Sequence, residues 1–243
     1  MRGRCISTAK PPFGGWCETF AVKLTPDEQK VVTKVELGRD KVQLWAGGPY
    51  WATTNIGAEK PEDWGYYFWW GDTVGYYREN DVWIASDGSS SNFSFEEGNS
   101  PTYGKDGIAL YNDGWITSDG VLAPEHDAAH EHWGGNWRMP TYQEVSNIVE
   151  MCDWEESTKN GVNGWIVHGR GDYSANSIFL PWVGSSSGTS LYDFGSFGYY
   201  WSSIPDSGDY GACASYFTSG YYVTFREDRD YGLPIRPVQS PAE

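Results

Sequence analysis

Nothing in this chain approaches the ~20 consecutive apolar residues that a membrane-spanning helix needs, so direct membrane insertion is not expected. Cations are also scarce: 17 Lys and Arg stand against 33 Asp and Glu, a formal charge of −16. Phosphate backbones and anionic lipid surfaces repel such a chain, which excludes nucleic acid as a partner. Cysteines fall only at 5, 17, 152 and 213, without CxxC spacing. Cys5 and Cys17 are able to bridge an N-terminal loop, although free or buried thiols are the commoner reading of such scattered positions. The opening MRGRCISTAKPPFGGWC carries basic residues without an apolar stretch and does not read as a signal peptide. Export as part of a phage particle and loss of a leader both stay open. Tandem repeats, heptads, HExxH, Ser-His-Asp ordering and a Gly-rich phosphate loop are missing too. Each of those motifs carries a specific chemistry, and none is available here.

What the chain does have is rings and glycine. Among 243 residues are 14 Trp, 17 Tyr and 30 Gly. That mixture predicts a loop-rich fold in which aromatic side chains supply the buried area. The length suits one large domain or two small ones.

Residues 1–40 read as an arm or linker with a short helix over 25–37, where Thr25 caps, Pro26 takes the first position and Asp27 and Glu28 follow. From 41 to 238 we expect one α+β domain of short strands with much irregular loop. KVQLWAGGPYWATTNIG, 41–57, predicts two strands around a Gly-Gly-Pro turn, and 61–73 predicts strand plus turn. Residues 85–120 look like a long polar excursion. The best helix spans 140–154: Thr141 and Glu144 make a capping box, and Val145, Ile148, Val149 and Cys152 share one face. NSIFLPWVG predicts a buried strand ended by Pro181. ACASYF and YYVTF, joined through Thr218-Ser219-Gly220, predict a hairpin that places Cys213 in a strand.

The segment from GYYWSS at 198–203 to IRPV at 235–238 separates into two kinds of residue. Trp201, Phe217, Gly220, Arg229, Gly232, Arg236 and Pro237 read as scaffold. Tyr199, Asp206, Asp209, Tyr210, Tyr216, Tyr221, Arg226, Glu227, Asp228, Asp230 and Tyr231 read as a presented ligand-binding surface. Tyr offers large contact area at low entropy cost, and short polar side chains adapt their hydrogen bonds, as in antibody loops.

WATTNIGAEKPEDWGYYFWWGDT, DAAHEHWGGNWRMPTYQE, NSIFLPWVG, GYYWSS and GLPIRPV occur in that order. Together they resemble the Fibrobacter succinogenes major paralogous domain family over roughly 44–238. The resemblance implies a C-type-lectin-like fold related to formylglycine-generating-enzyme-like domains. It also implies kinship with the variable proteins of diversity-generating retroelements, which makes 199–233 a variable region. Asn codons mutated at their adenines sample Tyr, Asp and Ser without creating stops, and Asp206, Asp209, Tyr210, Tyr216, Tyr221, Asp228, Asp230 and Tyr231 belong to that set. Where the family places aliphatic residues near 222 and 224, this chain has Val223 and Phe225 as its apolar pair. A one-residue slip exchanges the two faces of a strand, so both phases stay open.

His126, His130 and His132 in EHDAAHEHW have spacing compatible with zinc or nickel, completed by Glu131 or Asp127, but the Ala-Ala and Gly-Gly context favours a packed turn. Formylglycine-generating enzymes hold copper through two reactive cysteines, whereas Cys213 stands alone in the C-terminal half. Calcium-lectin triplets are absent, Tyr111-Asn112-Asp113 lacking the Trp of one of them. Arg170-Gly171-Asp172 spells an adhesion tripeptide, a match frequent by chance, and Asn92-Phe93-Ser94 a glycosylation sequon of little meaning in a bacterial or phage protein. The expectation is therefore a non-catalytic protein without cofactor or metal: a phage or bacterial adhesin binding a protein or glycan receptor at a cell surface, located outside the cell, on a virion or on a cell surface. Oligomerisation stays open. An oxidase of the formylglycine-generating kind and a structural domain of a surface lipoprotein are the alternatives.

Overall fold

A computed structural model describes residues 39–90 and 92–241. The helix expected over 25–37 and the loop between Cys5 and Cys17 lie outside the described residues. Among the described residues, sixteen short strands and three α-helices make an α+β arrangement of antiparallel sheets. The first sheet joins β1 (Lys41–Gln43), β2 (Tyr50–Ala52), β16 (Val238–Gln239) and β6 (Trp137–Arg138). Another runs β15 (Leu233–Pro234), β3 (Tyr67–Phe68), β4 (Tyr76–Glu79), β5 (Val82–Ala85). β7 (Asp153–Lys159), β8 (Val162–His168) and β9 (Ser177–Pro181) form a third, and β10 (Ser185–Ser187) pairs β11 (Ser190–Tyr192). The last sheet is β12 (Gly198–Pro205), β13 (Gly211–Thr218) and β14 (Tyr221–Asp228), with β14 outermost. No helix among the described residues is long and apolar enough to cross a membrane.

The helices are short: α1 (Gly107–Asn112), α2 (Ala128–Trp133) and α3 (Tyr142–Met151). The capping box of α3 is present, with Thr141 Oγ1 accepting from the Glu144 amide and Glu144 Oε2 accepting from the Thr141 amide. The helix stops at Met151 rather than at 154 as expected, and Cys152 is its extended C-cap residue, not a helical one. Its end is closed from outside the helix: the Trp154 indole donates to the Ile148 carbonyl, and Arg170 donates to the carbonyls of Glu150 and Cys152. No C-terminal glycine was there to announce it. The excursion at 85–120 is also more ordered than predicted. It holds a 3-10 turn over Glu97–Asn99, and α1 is capped by the Asp106 carboxylate.

Two clusters of buried rings make the interior, and the β12–β14 sheet stands between them. Tyr200, Phe217 and Tyr222 look toward Trp154, Trp165 and α3. Trp201, Ala212 and Ala214 look toward Phe68, Trp70 and Leu233. Indoles lace this second boundary in both directions, Trp201 donating to the Phe68 carbonyl and Trp70 to the Ser202 carbonyl. Arg236, fully buried, donates through Nε to Asn55 and through Nη1 to the Ala52 carbonyl. Burial lowers its guanidinium to about 10, so it stays charged at neutral pH.

Candidate functional site: the β12–β14 sheet and its open end

Strand register decides what this sheet presents. Tyr199 pairs with Tyr216, Tyr216 with Val223, Ala214 with Phe225 and Ala212 with Glu227, so all of these share one face. Ser215 pairs with Thr224 and Cys213 with Arg226, which puts Tyr222, Thr224 and Arg226 on the other. The phase left open by the sequence is thereby resolved: Tyr222 stacks on Trp154, while Val223 and Phe225 lie on the opposite side.

On the Val223 face the rings form a graded patch. Trp201 lies sealed at its root, while Phe197, Tyr216 and Phe225 are half-buried and Tyr221 is 54% exposed. Phe197 and Tyr216 stack at 5.3 Å, Tyr216 meets Phe225 at 5.7 Å, and Tyr221 meets Tyr216 edge-on at 6.1 Å. Small side chains at Ala212 and Ala214 leave room for these rings beside Trp201. Phe197, Val223, Phe225 and Asp193 complete the patch although only the tyrosines were legible as site residues. Alternation along YYVTF is the available signal, and it does not distinguish the two phases.

The open end of the sheet gathers the charges. Arg226 is exposed and pairs with Asp206 at 3.2 Å and with Asp228 at 3.5 Å. Its stem crosses Gly211, where a Cβ would collide with it. Asp209 and Tyr210 are exposed in the connecting turn, and the Tyr210 ring rests 4.9 Å from Tyr103. Arg229 underlies this turn, fully buried, with Nη2 donating to the carbonyls of Lys105 and Asp209. Tyr231 is half-buried beside Ser187.

Two residues expected on the surface are not there. Tyr199 is buried as the floor of the ring patch, its hydroxyl donating to Asp193 Oδ2 at 2.9 Å. Asp230 is buried as well, and its carbonyl accepts the Trp69 indole N–H. Both follow from position: Tyr199 faces the same interior as Trp201, and Asp230 lies on the turn that leads into β15. The remaining nine divide between two faces and one end of the sheet rather than sharing a single plane. By contrast Trp201, Phe217, Arg229, Arg236 and Pro237, read as scaffold, are all buried, and Gly232 stands where Phe95 would collide with a side chain.

Glu227 lies on the ring face and is half-buried. Burial pushes its carboxyl up to about 7, with Asp228 and Asp230 adding to the effect. Its folded pKa exceeds that of an unfolded glutamate, so between those values the folded chain holds the extra proton. Stability from this group is full below pH ~4.3 and falls as pH rises through the folded value. Glu227→Gln removes the ionisation. Melting curves should show the variant gaining about 1–2 kcal/mol at pH 8.5 after discounting for solvent screening, and nothing at pH 4.5. An equal gain at both pH values would mean that ionisation is not the cause.

Two of the candidate metal-ligating histidines are engaged apart from one another. His126 stacks on Trp115 at 3.9 Å, and His132 Nε2 lies 2.8 Å from the Thr73 carbonyl between Tyr66 and Phe68. Among the described residues no group of three or more His, Cys, Asp or Glu is placed to hold a metal ion. Arg170 of the adhesion tripeptide is engaged by Asp153 and the end of α3. Burial raises the thiols of Cys152, to about 11, and of Cys213, the opposite of what a reactive thiolate needs. Comparison with protein-family models, with curated proteins and with solved structures finds no match.

Proposed function

We propose that this chain is a non-catalytic binding protein of C-type-lectin-like fold, whose C-terminal sheet presents a variable set of side chains to a receptor. The half-exposed ring patch, rooted in the sealed Trp201 layer, carries this reading. Rings that project from a rigid base lose little freedom when they are covered, and exclusion of water around them supplies most of the contact energy. Short antiparallel strands in several sheets, with few helices, agree with the fold. The raised thiols and the separated histidines favour binding over oxidation chemistry. The setting that fits best is a phage or bacterial adhesin acting at a cell surface. Diversification then falls on Asp206, Asp209, Tyr210, Tyr216, Tyr221, Asp228 and Tyr231, with Tyr199 and Asp230 withdrawn into the framework.

The reading is tested by binding of the labelled protein to whole bacterial cells and to a glycan array. Wild type should retain at least one partner. A Tyr216→Ala, Tyr221→Ala double variant should lose about 30-fold or more in affinity, as expected for ring hot spots. Its melting temperature should fall by only a few degrees. Undiminished binding by the double variant would remove the ring patch from the interface.

A further inference from the structure

The corner where residues 97–103 meet the end of β14 collects charges of one sign. Burial, then the charges of Glu97, Asp230 and Asp228, raise the Tyr103 phenol. Tyr231 is raised in the same way, by burial and then by Glu227, Asp230 and Asp228. Carboxyls from two separate stretches of chain therefore act on one small region. Such crowding is costly, because each carboxylate makes its neighbour harder to ionise. The cations nearby are committed elsewhere. Arg226 is divided between Asp206 and Asp228, Lys105 pairs with Asp113 at 2.6 Å, and Arg229 is sealed against the ring of Trp70.

Asp230 is left uncompensated. It is 8% exposed, its Oδ1 has no hydrogen-bond partner, and the side chains whose charges bear on it are Asp228 and Glu97, both acids. Buried polar atoms are nearly always bonded, so this one marks an arrangement that a ligand completes. Oδ1 is closed to direct contact. A charge in a poorly solvated place nevertheless acts farther than an exposed one, and it draws a cation toward Glu97 and Asp228 at the surface. Among the described residues no three of these acids are placed to share a metal ion. A guanidinium suits the spread better, being planar, able to bond carboxylates through several N–H groups, and able to stack on a phenol. Tyr210, 46% exposed and 4.9 Å from Tyr103, offers that ring. We infer that this corner takes an arginine side chain of a protein partner, with Glu97 and Asp228 bonding the guanidinium and Tyr210 stacking on it. The site rests on the receptor-face reading, which it extends to Glu97, and it narrows the partner from protein or glycan to a protein with a basic segment.

Fluorescence anisotropy with the full chain tests this against labelled Ser-Gly peptides carrying interspersed arginines, lysines or glutamates, at physiological salt so that the net charge of the chain is screened. The arginine peptide should bind best, the lysine peptide more weakly and the glutamate peptide not at all. Glu97→Gln should weaken the arginine peptide about tenfold, the loss of one charge-assisted bond. Glu59→Gln removes the same charge from an exposed position on the β2–β3 loop and should leave affinity within about twofold. Tyr210→Ala should weaken binding several-fold and narrow the gap between arginine and lysine. Because Glu97→Gln relieves crowding among acids, its melting temperature should hold or rise, which separates lost binding from lost folding. Equal losses from Glu97→Gln and Glu59→Gln would mean that net charge alone attracts the peptide, and would overturn the site. Tight binding of calcium or magnesium alone in calorimetry, abolished by Glu97→Gln, would overturn it too. If the Tyr216→Ala, Tyr221→Ala variant loses its cells while Glu97→Gln leaves peptide affinity unchanged, the receptor face stands and the arginine site falls. The reverse pattern keeps the arginine site and removes the ring patch from the interface.

Discussion

Trp201→Ala is expected to cost about 3–5 kcal/mol, the range for removing a large buried ring. The indole is sealed between the β12–β14 sheet and Phe68, and its N–H is spent on the Phe68 carbonyl. Alanine there leaves both a void and an orphaned carbonyl. Against a total stability of roughly 5–15 kcal/mol, that is enough to leave much of the population unfolded near body temperature. Tyr221→Ala, two strands away on the same face, should stay within about 0.5 kcal/mol because the ring is more than half exposed. Urea denaturation of both variants measures the contrast directly. Similar losses from the two would mean that the outer rings hold the fold rather than decorate it.

Arg229→Ala is the second large effect, about 2–4 kcal/mol. Burial holds the guanidinium down to about 10, so it remains charged at neutral pH, and among the described residues no carboxylate pairs with it within bonding distance. What it does is tie two loops together, through the Lys105 and Asp209 carbonyls, beneath the ring of Trp70. Its removal should also raise hydrogen exchange across 102–106 and 206–210 while leaving the β7–β9 sheet protected. Arg229→Met restores the packed volume but not the bonds. It should recover part of the stability and none of the exchange protection. Full recovery by methionine would assign Arg229 a packing role alone.

The sequence was most readable where side chain and main chain agree locally. Thr141 and Glu144 bracket a helix start that needs no distant partner, and it forms as expected. Its end depends on Trp154 and Arg170 reaching back across the chain, which no local pattern encodes. The β7–β8 hairpin is not among the elements expected from the sequence, although Asn160-Gly161 sits at its turn, both residues with positive φ of 49° and 85°. That pair is a strong hairpin signal, obscured by a charged first strand, DWEESTK, with little apolar alternation. At the candidate site, composition identified the segment but not the burial of its members. Tyr199 and Tyr221 are the same residue type in the same sheet, and only the distance from Trp201 makes one floor and the other rim.

β14, which carries Tyr221, Arg226, Glu227 and Asp228, has a hydrogen-bonded neighbour on one side only. A residue inside a sheet must suit side chains to its left and to its right, whereas each position on this strand answers to a single lateral companion. Mutational search is therefore least encumbered along the outer margin, and novelty can accumulate there while the inner strands keep the architecture intact.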